Sequence, residues 1–275
     1  MFKTTIKFLD FEYPKIMGII NLTSDSFFKD SRVENQMTLL SRVEKFILEG
    51  AEIIDIGAMS TRPGAPLIDE SIEFEKIRFA LELITKNFPE ILISVDTVRS
   101  GIATMSWDLG ASIINDVSGG EFDCRMFEVI SKFKIPYVLT HSRGNSQNMQ
   151  TLTEYDNIIQ DIVLSLSLKL KKLKELGSSE ILIDPGFGFA KNLDQNYKIL
   201  NNLEYFNVLN CPILIGLSRK SMIYKELGIE PEDALNGTSA LHMFALLKGA
   251  DIIRVHDVRE AKQVIQLHQK LLNAN

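Results

Sequence analysis

The sequence predicts an α/β protein in which eight parallel strands close into a (β/α)8 barrel, the TIM-barrel architecture. The first observation is that short runs of Ile, Val and Leu alternate with longer amphipathic segments along the whole chain. The second is that most of these runs are continuously apolar, as parallel strands are when both faces of their sheet are covered. The third is the length of 275 residues, slightly above the roughly 250 residues usual for this fold.

The strands are predicted from runs of β-branched residues that are bounded by polar or turn-forming residues. The eight predicted strands are residues 15–21, 52–57, 91–96, 112–117, 136–141, 181–185, 212–217 and 251–256. A short N-terminal strand or hairpin at residues 3–9 precedes them. We expect that segment to close the bottom of the barrel.

The segments after each strand carry apolar residues at helical spacing. The predicted helices are residues 37–49, 69–87, 101–109, 125–132, 153–176, 193–203, 221–227, 234–248 and 258–272. An open doubly wound sheet shares this alternation and remains an alternative, although such sheets more often have roughly five to seven strands. No repeat or linker interrupts the order, so residues 1–275 are interpreted as a single domain.

The composition excludes several classes of protein. Apolar residues make up 45% and charged residues 24% of the chain, which is ordinary for a globular protein. The net charge of −6 comes without any cluster of Lys and Arg, which disfavours nonspecific binding of nucleic acid. No apolar stretch is long enough to span a bilayer, and Cys124 and Cys211 are too few for a disulfide framework or a zinc site. We expect a cytoplasmic protein with no nucleic-acid or membrane partner.

Polar side chains end most of the predicted strands. In a (β/α)8 barrel these ends converge on one mouth, where the chemistry takes place. A purely structural role for so many of them is difficult to justify. The residues concerned are Asn21, Asp55, Asp96, Asn115, Asp116, His141, Asp184, Arg254 and His256, with Ser218, Arg219 and Lys220 after the seventh strand.

The acceptors among these residues suit a flat heterocycle whose edge carries several N–H groups. A carboxylate such as Asp96 or Asp184 can make a bidentate, charge-assisted match with a guanidine-like edge, and Asn115 adds an amide. Lys220 could donate to a ring carbonyl. The alternative for each aspartate is that it caps the helix that follows.

A second set of residues is typical of an anion site. Thr61, Arg62 and Gly64 lie in the loop STRPGA, and Arg254 and His256 end the eighth strand. Arg and charged His donate to phosphate oxygens, and Gly lets backbone N–H groups approach. The alternative is an ordinary solvated loop.

Two further features complete the candidate site. Asn21 and Asp25 offer oxygen ligands for Mg²⁺, which keeps waters and substrate phosphates in its coordination shell. The run from Ser218 to Ser221 opens a helix, where free N–H groups can bind a carboxylate. Ordinary capping by Ser218 is the alternative.

Eight motifs, in order along almost the whole chain, resemble the dihydropteroate synthase family. They are MGIINLTSDSF at residues 17–27, AEIIDIG at 51–57 with STRPGA at 60–65, SVDT at 94–97, INDV at 114–117, IDPGFGF at 183–189, GLSRKS at 216–221, GTS at 237–239 and RVHD at 254–257. The resemblance implies a (β/α)8 barrel, usually a homodimer. It also implies a transferase of folate biosynthesis that joins p-aminobenzoate to 6-hydroxymethyl-7,8-dihydropterin pyrophosphate, and that sulfonamides inhibit at the aminobenzoate site.

The resemblance also implies the roles of individual residues. The pterin would be held by Asp96, Asn115, Asp184, Lys220 and, by stacking, Arg254. The pyrophosphate would be bound by Asn21, Asp55, Thr61, Arg254 and His256, and its Mg²⁺ by Asn21 and Asp25. The p-aminobenzoate pocket would be formed by Thr61, Arg62, Pro63, Phe189, Lys220 and Ser221. The catalytic groups would be Asp96, Asp184, Lys220, Arg254 and His256.

The chain departs from the usual family pattern at a few positions. Ser24 replaces a proline of the first loop, and Lys29, Asp30 and Ser31 replace the Asp-Gly-Gly that usually follows. Met59 stands where Glu is frequent. Thr140, which is smaller and polar, stands where Met is common, so we expect a looser floor of the pterin site. None of these changes removes a residue with a direct chemical role.

Two other functions remain as alternatives. One is a pterin-binding paralogue without catalytic activity, which the departures in the first loop would allow. The other is a methyltetrahydrofolate-dependent methyltransferase, which uses a similar barrel but should lack the STRPGA loop and the SRKS helix start.

Overall fold

A computed structural model describes residues 9–22, 32–59, 64 and 68–274. The strands are β1 Lys15–Asn21, β2 Ile53–Gly57, β3 Leu92–Asp96, β4 Ile113–Asp116, β5 Tyr137–Thr140, β6 Ile181–Asp184, β7 Leu214–Ile215 and β8 Ile252–Val255. The α-helices are α1 Arg32–Glu49, α2 Glu70–Asn87, α3 Ser100–Asp108, α4 Met126–Phe133, α5 Ile158–Glu175, α6 Leu193–Asn201, α7 Ser221–Leu227, α8 Leu235–Leu247 and α9 Val258–Leu272. Short 3₁₀ helices cover Met149–Thr151, Leu203–Leu209 and Pro231–Asp233.

The eight strands form one parallel sheet with the order β6-β5-β4-β3-β2-β1-β8-β7. The first and last strands are neighbours, since Lys15 pairs with Ile252. A parallel bridge between Ile183 and Ile213 brings β6 next to β7 and nearly closes the barrel. An open doubly wound sheet would not pair its first strand with its last in this closed order, so the prediction of a (β/α)8 barrel is confirmed.

The interior of the barrel changes character from bottom to mouth. Because successive side chains of a strand point to opposite faces, every second residue points inward. The lower interior layer is apolar and includes Leu9, Met17, Ile53, Ile113, Val138, Leu182, Leu214 and Ile252. Leu9 and Phe11 pack on this layer, as expected for an N-terminal segment that covers the bottom. Residues 3–8 of that segment lie outside the described residues.

The element bounds differ from the predictions mainly where capping or proline decides them. Strand β7 contains only residues 214–215, because Pro212 has no N–H for the ladder and Gly216 begins the loop. Helix α5 begins at Ile158 rather than at residue 153, since the side chain of Asn157 accepts a hydrogen bond from the N–H of Gln160 and caps it. Helix α1 begins at Arg32, earlier than its apolar pattern indicates.

Strand β7 is followed by two helices rather than one. The polypeptide passes through α7 and the 3₁₀ helix Pro231–Asp233 before α8 returns along the barrel. Both helices were expected from the sequence, and their arrangement places the start of α7 at the mouth. Within the described part of the chain, no helix combines the length and apolar character needed to cross a membrane.

Candidate active site at the carboxyl ends of the strands

An arginine shared by two buried carboxylates lies at the centre of the mouth. Arg254 donates from Nε to Oδ2 of Asp55 at 2.6 Å and from Nη2 to Oδ2 of Asp96 at 2.9 Å. Asn115 donates from Nδ2 to the same Asp55 oxygen at 3.3 Å. The strand register explains this convergence, because Gly57 pairs with Asp96 and Asp96 pairs with Asn115.

Burial dominates the electrostatics of this cluster. It raises the pKa of Asp96 to about 7, although the charge of Arg254 acts in the opposite direction. Asp55, Glu73 and Asp116 add to the increase, since nearby negative charges disfavour ionisation of Asp96. For Arg254, burial alone would lower the pKa, but the two carboxylates outweigh it and raise the pKa.

Asp184 and Lys220 form the second part of the site. Asp184 accepts a hydrogen bond from the N–H of Gly186 at 2.7 Å, and burial raises the pKa of its carboxyl group. Burial lowers the pKa of Lys220 to about 8, an effect that the charge of Asp184 opposes. The Nζ atom of Lys220 donates to the carbonyl of Phe187 and lies 4.8 Å from the centroid of the Phe189 ring.

His256 lies beside this cluster as a neutral group. Its Nδ1 atom is 3.0 Å from the hydroxyl of Ser218, which also accepts a hydrogen bond from the backbone N–H of His256. Burial, followed by the charge of Arg254, lowers the pKa of His256 to about 4. In the ligand-free protein the lowered pKa favours the neutral imidazole at pH 7, and the charged histidine expected at the anion site stays a prediction.

Ser218 does not cap α7, because its hydroxyl is engaged with His256. The cap position of α7 belongs to Lys220, which makes no side-chain capping bond. Arg219 anchors this turn from the other side by a bidentate contact with Asp257 at 2.8 and 2.9 Å. Ser221, the first residue of α7, is half-buried, and no side chain of the cap residue engages the N–H groups at the start of this helix.

Two of the polar strand ends have structural roles. Asp116 accepts hydrogen bonds from the N–H groups of Ser118 and Gly120 and from the hydroxyl of Tyr137, all at 2.7–2.8 Å. It points away from the interior because its neighbour Asn115 points inward. His141 is almost fully buried, and burial followed by the charge of Lys191 lowers its pKa to about 2.

Lys191 is a buried residue that the sequence analysis missed. Its Nζ atom donates to the carbonyls of Gly186 and Phe189 at 2.8 and 2.9 Å and lies 3.1 Å from Nδ1 of His141. The side chain of Lys191 therefore holds the loop that presents Phe189, and burial lowers the pKa of its amine well below the usual value. No local pattern indicates this, since lysine is rarely buried and the residue simply follows GFGFA.

Several predicted site residues lie outside the described residues. These are Asp25, Thr61, Arg62 and Pro63, together with the departures Ser24, Lys29, Asp30 and Ser31. Gly64 is described, and its N–H donates to the carbonyl of Ser146 at 2.8 Å. That N–H is therefore engaged within the protein and is not directed at an anion.

A cavity of about 320 Å³ opens at the mouth, and its wall contains Phe189 but not Asp96, Asp184 or Arg254. Its walls include residues that follow successive strands, namely Met59 after β2, Val98 after β3, Val117 after β4, Ser142 after β5 and Phe189 after β6. Asn21 is exposed at the end of β1. Among the described residues, no group of three or more His, Cys, Asp or Glu side chains is arranged to hold a metal ion.

Comparisons with known proteins point to one family. The family model for pterin-binding enzymes matches residues 17–256. Dihydropteroate synthase of Escherichia coli is 35% identical over 268 residues, which cover 97% of this chain and 94% of that protein. The folic acid synthesis protein fol1 of Pneumocystis carinii is 41% identical over 260 residues. The alignment covers 92% of this chain but only 35% of fol1, so the chain spans about a third of that relative's length.

Solved structures agree with these relatives. Dihydropteroate synthase of Yersinia pestis, in complex with a sulfonamide drug, superposes with a TM-score of 0.90 at 34% identity and covers 96% of both chains. The enzyme of Thermus thermophilus in complex with 4-aminobenzoate gives a TM-score of 0.86 at 31% identity, again with 96% of both chains covered.

Proposed function

The chain belongs to the dihydropteroate synthases of the pterin-binding enzyme family, and from this premise we propose how its residues carry out the reaction. The enzyme condenses 6-hydroxymethyl-7,8-dihydropterin pyrophosphate with p-aminobenzoate, and it releases 7,8-dihydropteroate and pyrophosphate in folate biosynthesis. The observation that carries the assignment of roles is that the buried carboxylates of Asp96 and Asp184 converge on one mouth with Arg254 and Lys220.

The pterin is proposed to bind in the interior between these groups. Asp96, Asn115 and Asp184 present acceptors to the N–H edge of the ring, and a carboxylate opposite two N–H groups makes the strongest match. Lys220 donates to the ring carbonyl. Its Nζ atom already donates to the carbonyl of Phe187, so the ammonium group is held at the mouth before substrate binds.

Loss of pyrophosphate is the first chemical step. The bond between the pterin methylene carbon and the leaving oxygen breaks, and the electron pair departs with pyrophosphate. Arg254 and His256 donate hydrogen bonds to the leaving oxygens, where negative charge develops. The cation left on the methylene group is conjugated with the ring, and the carboxylates of Asp96 and Asp184 stabilise it.

Asp55 acts on the pyrophosphate indirectly. Its carboxylate is fully buried, and its Oδ2 atom accepts from both Arg254 and Asn115. Direct contact between this carboxylate and a polyanion would bring like charges together. We therefore assign to Asp55 the orientation of Arg254, rather than contact with the leaving group.

The aryl amine of p-aminobenzoate then attacks the methylene carbon and afterwards loses a proton to solvent. An aryl amine is neutral at pH 7, so the step needs no strong general base. Phe189, Lys220 and the start of α7 at Ser221 are proposed to bind p-aminobenzoate, with its carboxylate at the free N–H groups. The contributions of Thr61, Arg62 and Pro63 stay predictions.

Asn21 and Asp25 are proposed to hold Mg²⁺. The exposed position of Asn21 at the end of β1 suits a cation that takes few protein oxygens and keeps waters and phosphate oxygens as ligands. When bound, the ion supplies positive charge to the departing pyrophosphate.

The remaining proposals concern the number of domains, the oligomeric state and the cellular location of the protein. One eight-stranded sheet supports residues 1–275 as a single pterin-binding domain. A homodimer is supported by α8, which exposes the apolar side chains of Phe244 and Leu247. A cytoplasmic location stays a prediction.

A coupled assay tests the proposed function. The purified chain is incubated with dihydropterin pyrophosphate, p-aminobenzoate and Mg²⁺, and pyrophosphate and dihydropteroate are quantified. We expect both products only when both substrates are present. Asp96→Asn and Lys220→Ala should each lower kcat/KM by at least about 100-fold, the scale of losing one group that stabilises developing charge.

The matched control is Glu75→Gln, which removes an exposed ion pair with Arg78 on α2 and should leave kcat/KM unchanged. Binding of the pterin substrate without any product would contradict the synthase and favour the silent paralogue. A methyl transfer product would favour the methyltransferase, although the relatives described above are dihydropteroate synthases.

A further inference from the structure

A buried lysine that the proposed mechanism does not use lies behind the loop after β6. Lys191 donates from Nζ to the carbonyls of Gly186 and Phe189 at 2.8 and 2.9 Å, and the same atom lies 3.1 Å from Nδ1 of His141. Among the described residues, none of its hydrogen-bond partners is a carboxylate. Burial lowers the pKa of the amine, an effect that the charge of Asp184 opposes. The polar contacts of this lysine are thus made to the backbone of a turn and to an imidazole, without an ion pair.

The two carbonyls that Lys191 holds bracket the residue that anchors Lys220. Phe187 lies between them, its side chain is fully buried, and its carbonyl accepts a hydrogen bond from Nζ of Lys220. The N–H of Phe189 donates to the carbonyl of Gly186 at 3.1 Å and closes the turn at residues 186–189. The ring of Phe189 lies 4.8 Å from the same Nζ atom. A shift of this turn would therefore move both groups that contact the Lys220 amine.

The turn at residues 186–189 is also tied to the ends of two strands. The N–H of Gly186 donates to Oδ1 of Asp184, the last residue of β6, at 2.7 Å. The N–H of His141, directly after β5, donates to the backbone carbonyl of Asp184 at 2.9 Å. Lys191 contacts the same His141, so its amine lies between the turn and the strand ends. Strands hold side chains more precisely than loops do, so this link fixes the turn to a rigid support.

Packing alone does not explain a lysine at this position. Taking an amine out of water reduces stability unless its hydrogen bonds offset the cost. Methionine has a similar length and would fill the space without that cost, but it donates to no carbonyl. What only the lysine supplies is the pair of hydrogen bonds to the turn at residues 186–189.

We propose that Lys191 is a positioning residue that fixes the turn at residues 186–189 and thereby holds the amine of Lys220 at the mouth. A lysine ammonium group has three donors. The carbonyl of Phe187 takes one of them, and the others remain for a substrate acceptor. This inference rests on the proposed function for the assignment of pterin binding to Lys220. Misplacement of a binding group by about 1 Å is enough to reduce rates by about 100-fold.

Lys191→Met tests the inference, because it keeps the length of the side chain and removes its donors. We expect the Kd for dihydropterin pyrophosphate, measured by calorimetry, to rise about tenfold and kcat/KM to fall about 10–100-fold. Lys191→Gln keeps an amide donor and should show a smaller loss of the same kind. This second variant serves if Lys191→Met does not fold.

Two matched controls remove a side-chain hydrogen bond to a loop carbonyl elsewhere. Lys134→Met removes the contact of an exposed lysine with the carbonyl of Gly177 at 2.5 Å. Tyr155→Phe removes the contact with the carbonyl of Ala190 at 3.1 Å, in the same loop but outside the turn at residues 186–189. Both variants should keep Kd and kcat/KM within about twofold of the wild type, because neither carbonyl holds Lys220.

A double-mutant cycle with Lys220→Ala separates positioning from a general loss of stability. If Lys191 acts through the Lys220 amine, Lys191→Met should weaken pterin binding by less than about twofold once Lys220 is alanine, since the group that it positions is absent. Two independent effects would multiply instead. Thermal unfolding of each variant ensures that every Kd is measured well below its Tm.

Hydrogen exchange reports on the turn without any substrate. The N–H groups of residues 186–189 should exchange at least about tenfold faster in Lys191→Met than in the wild type, because opening of the turn becomes easier. Lys134→Met should leave their exchange unchanged.

Three outcomes would overturn the inference. The first is a lower Tm of Lys191→Met with unaltered Kd and kcat/KM, which would show that the contact between Asn196 and the N–H of Gly188, at 2.7 Å, is sufficient to hold the turn. The second is a multiplicative cycle with Lys220→Ala, and the third is an equal effect of Tyr155→Phe. Failure of the proposed function is separate, since the wild type would then neither bind the pterin substrate nor form product. Hydrogen exchange would in that case still decide whether Lys191 fixes the turn.

Discussion

At the scale of single residues, the central feature of the mouth is that Arg254 serves two carboxylates at once. Its Nε and Nη2 atoms are used by Asp55 and Asp96, so the guanidinium plane is held in one orientation. Loss of either partner would leave a buried charge with fewer contacts, which is costly in a medium of low dielectric constant. An acidic protein can therefore hold a fixed cation at the mouth through two buried contacts, without a cluster of basic residues.

The protonation of Asp96 leads to a testable pH dependence. Its pKa is raised to about 7 because burial disfavours the carboxylate more than Arg254 favours it. In the proposed mechanism the ionised form of Asp96 stabilises the methylene cation, so kcat/KM of the wild type should fall as the pH decreases below about 7. The residual activity of Asp96→Asn should lack this decrease. The same acid limb in the variant would assign the titration to another group.

The same raised pKa affects stability with the opposite sign. The folded protein keeps a proton on Asp96 that the unfolded chain loses above about pH 4. Since the folded state then binds more protons, this group makes the protein less stable as the pH rises from about 4 to 7. Activity therefore increases over a range in which this residue reduces stability.

At the scale of elements, the loop after β6 shows how a backbone turn positions side chains. Gly186 and Gly188 both adopt positive φ, at 76° and 82°. A Cβ atom on Gly186 would lie 1.9 Å from the carbonyl oxygen of His141, whereas on Gly188 the nearest atom would be Cδ of Lys220 at 3.6 Å. The loop is thus pressed against the backbone of His141 at Gly186, whereas a Cβ atom at Gly188 would make only an ordinary van der Waals contact.

These two glycines form a matched pair of variants. Gly188→Ala should cost about 1–2 kcal/mol in the free energy of unfolding, from the left-handed backbone alone. Gly186→Ala adds a clash with rigid backbone and should cost more than about 3 kcal/mol or prevent folding. Urea unfolding measures both values. Equal costs for the two variants would show that the close approach to His141 is not rigid.

At the scale of the whole molecule, the barrel separates an apolar bottom from a polar mouth. The same strands supply both, because Met17, Ile53 and Ile252 line the lower layer while Asn21, Asp55 and Arg254 lie further along them. The lower end of each strand therefore contributes to the packing of the interior, and the carboxyl end carries the side chains of the candidate site.

The apolar outer face of α8 predicts the oligomeric state. Leu247 is 57% exposed and Phe244 is 36% exposed, so a partner that covers them would remove apolar surface from water. Light scattering should give about 62 kDa, twice the 31.1 kDa of one chain. The double variant Phe244→Glu and Leu247→Glu should shift the mass towards the monomer. A monomeric wild type, or a dimer unaffected by these changes, would contradict this interface.

Much of the fold and part of the site follow from local patterns. The β-branched runs predicted all eight strands within a few residues, because parallel strands covered on both faces need continuous apolar sequence. Asp96, Asn115, Asp184 and Arg254 were expected at strand ends, and the structure brings Asp96, Asn115 and Arg254 together around Asp55. Asp116 shows where the sequence was insufficient, because it was grouped with Asn115 as a polar strand end. In the structure it points away from the barrel interior, since successive side chains of a strand point to opposite faces.

What the sequence by itself determined is the order of elements, the barrel and the set of polar residues at its mouth. These depend on the periodicity of apolar residues and on motif order, which are local properties. Only the tertiary structure decided the partners and charge states. Arg254 meets Asp55, 199 positions away along the chain, His256 is neutral, and Lys191 and Glu73 are buried. Such properties depend on burial and on contacts between distant segments, which no local pattern encodes.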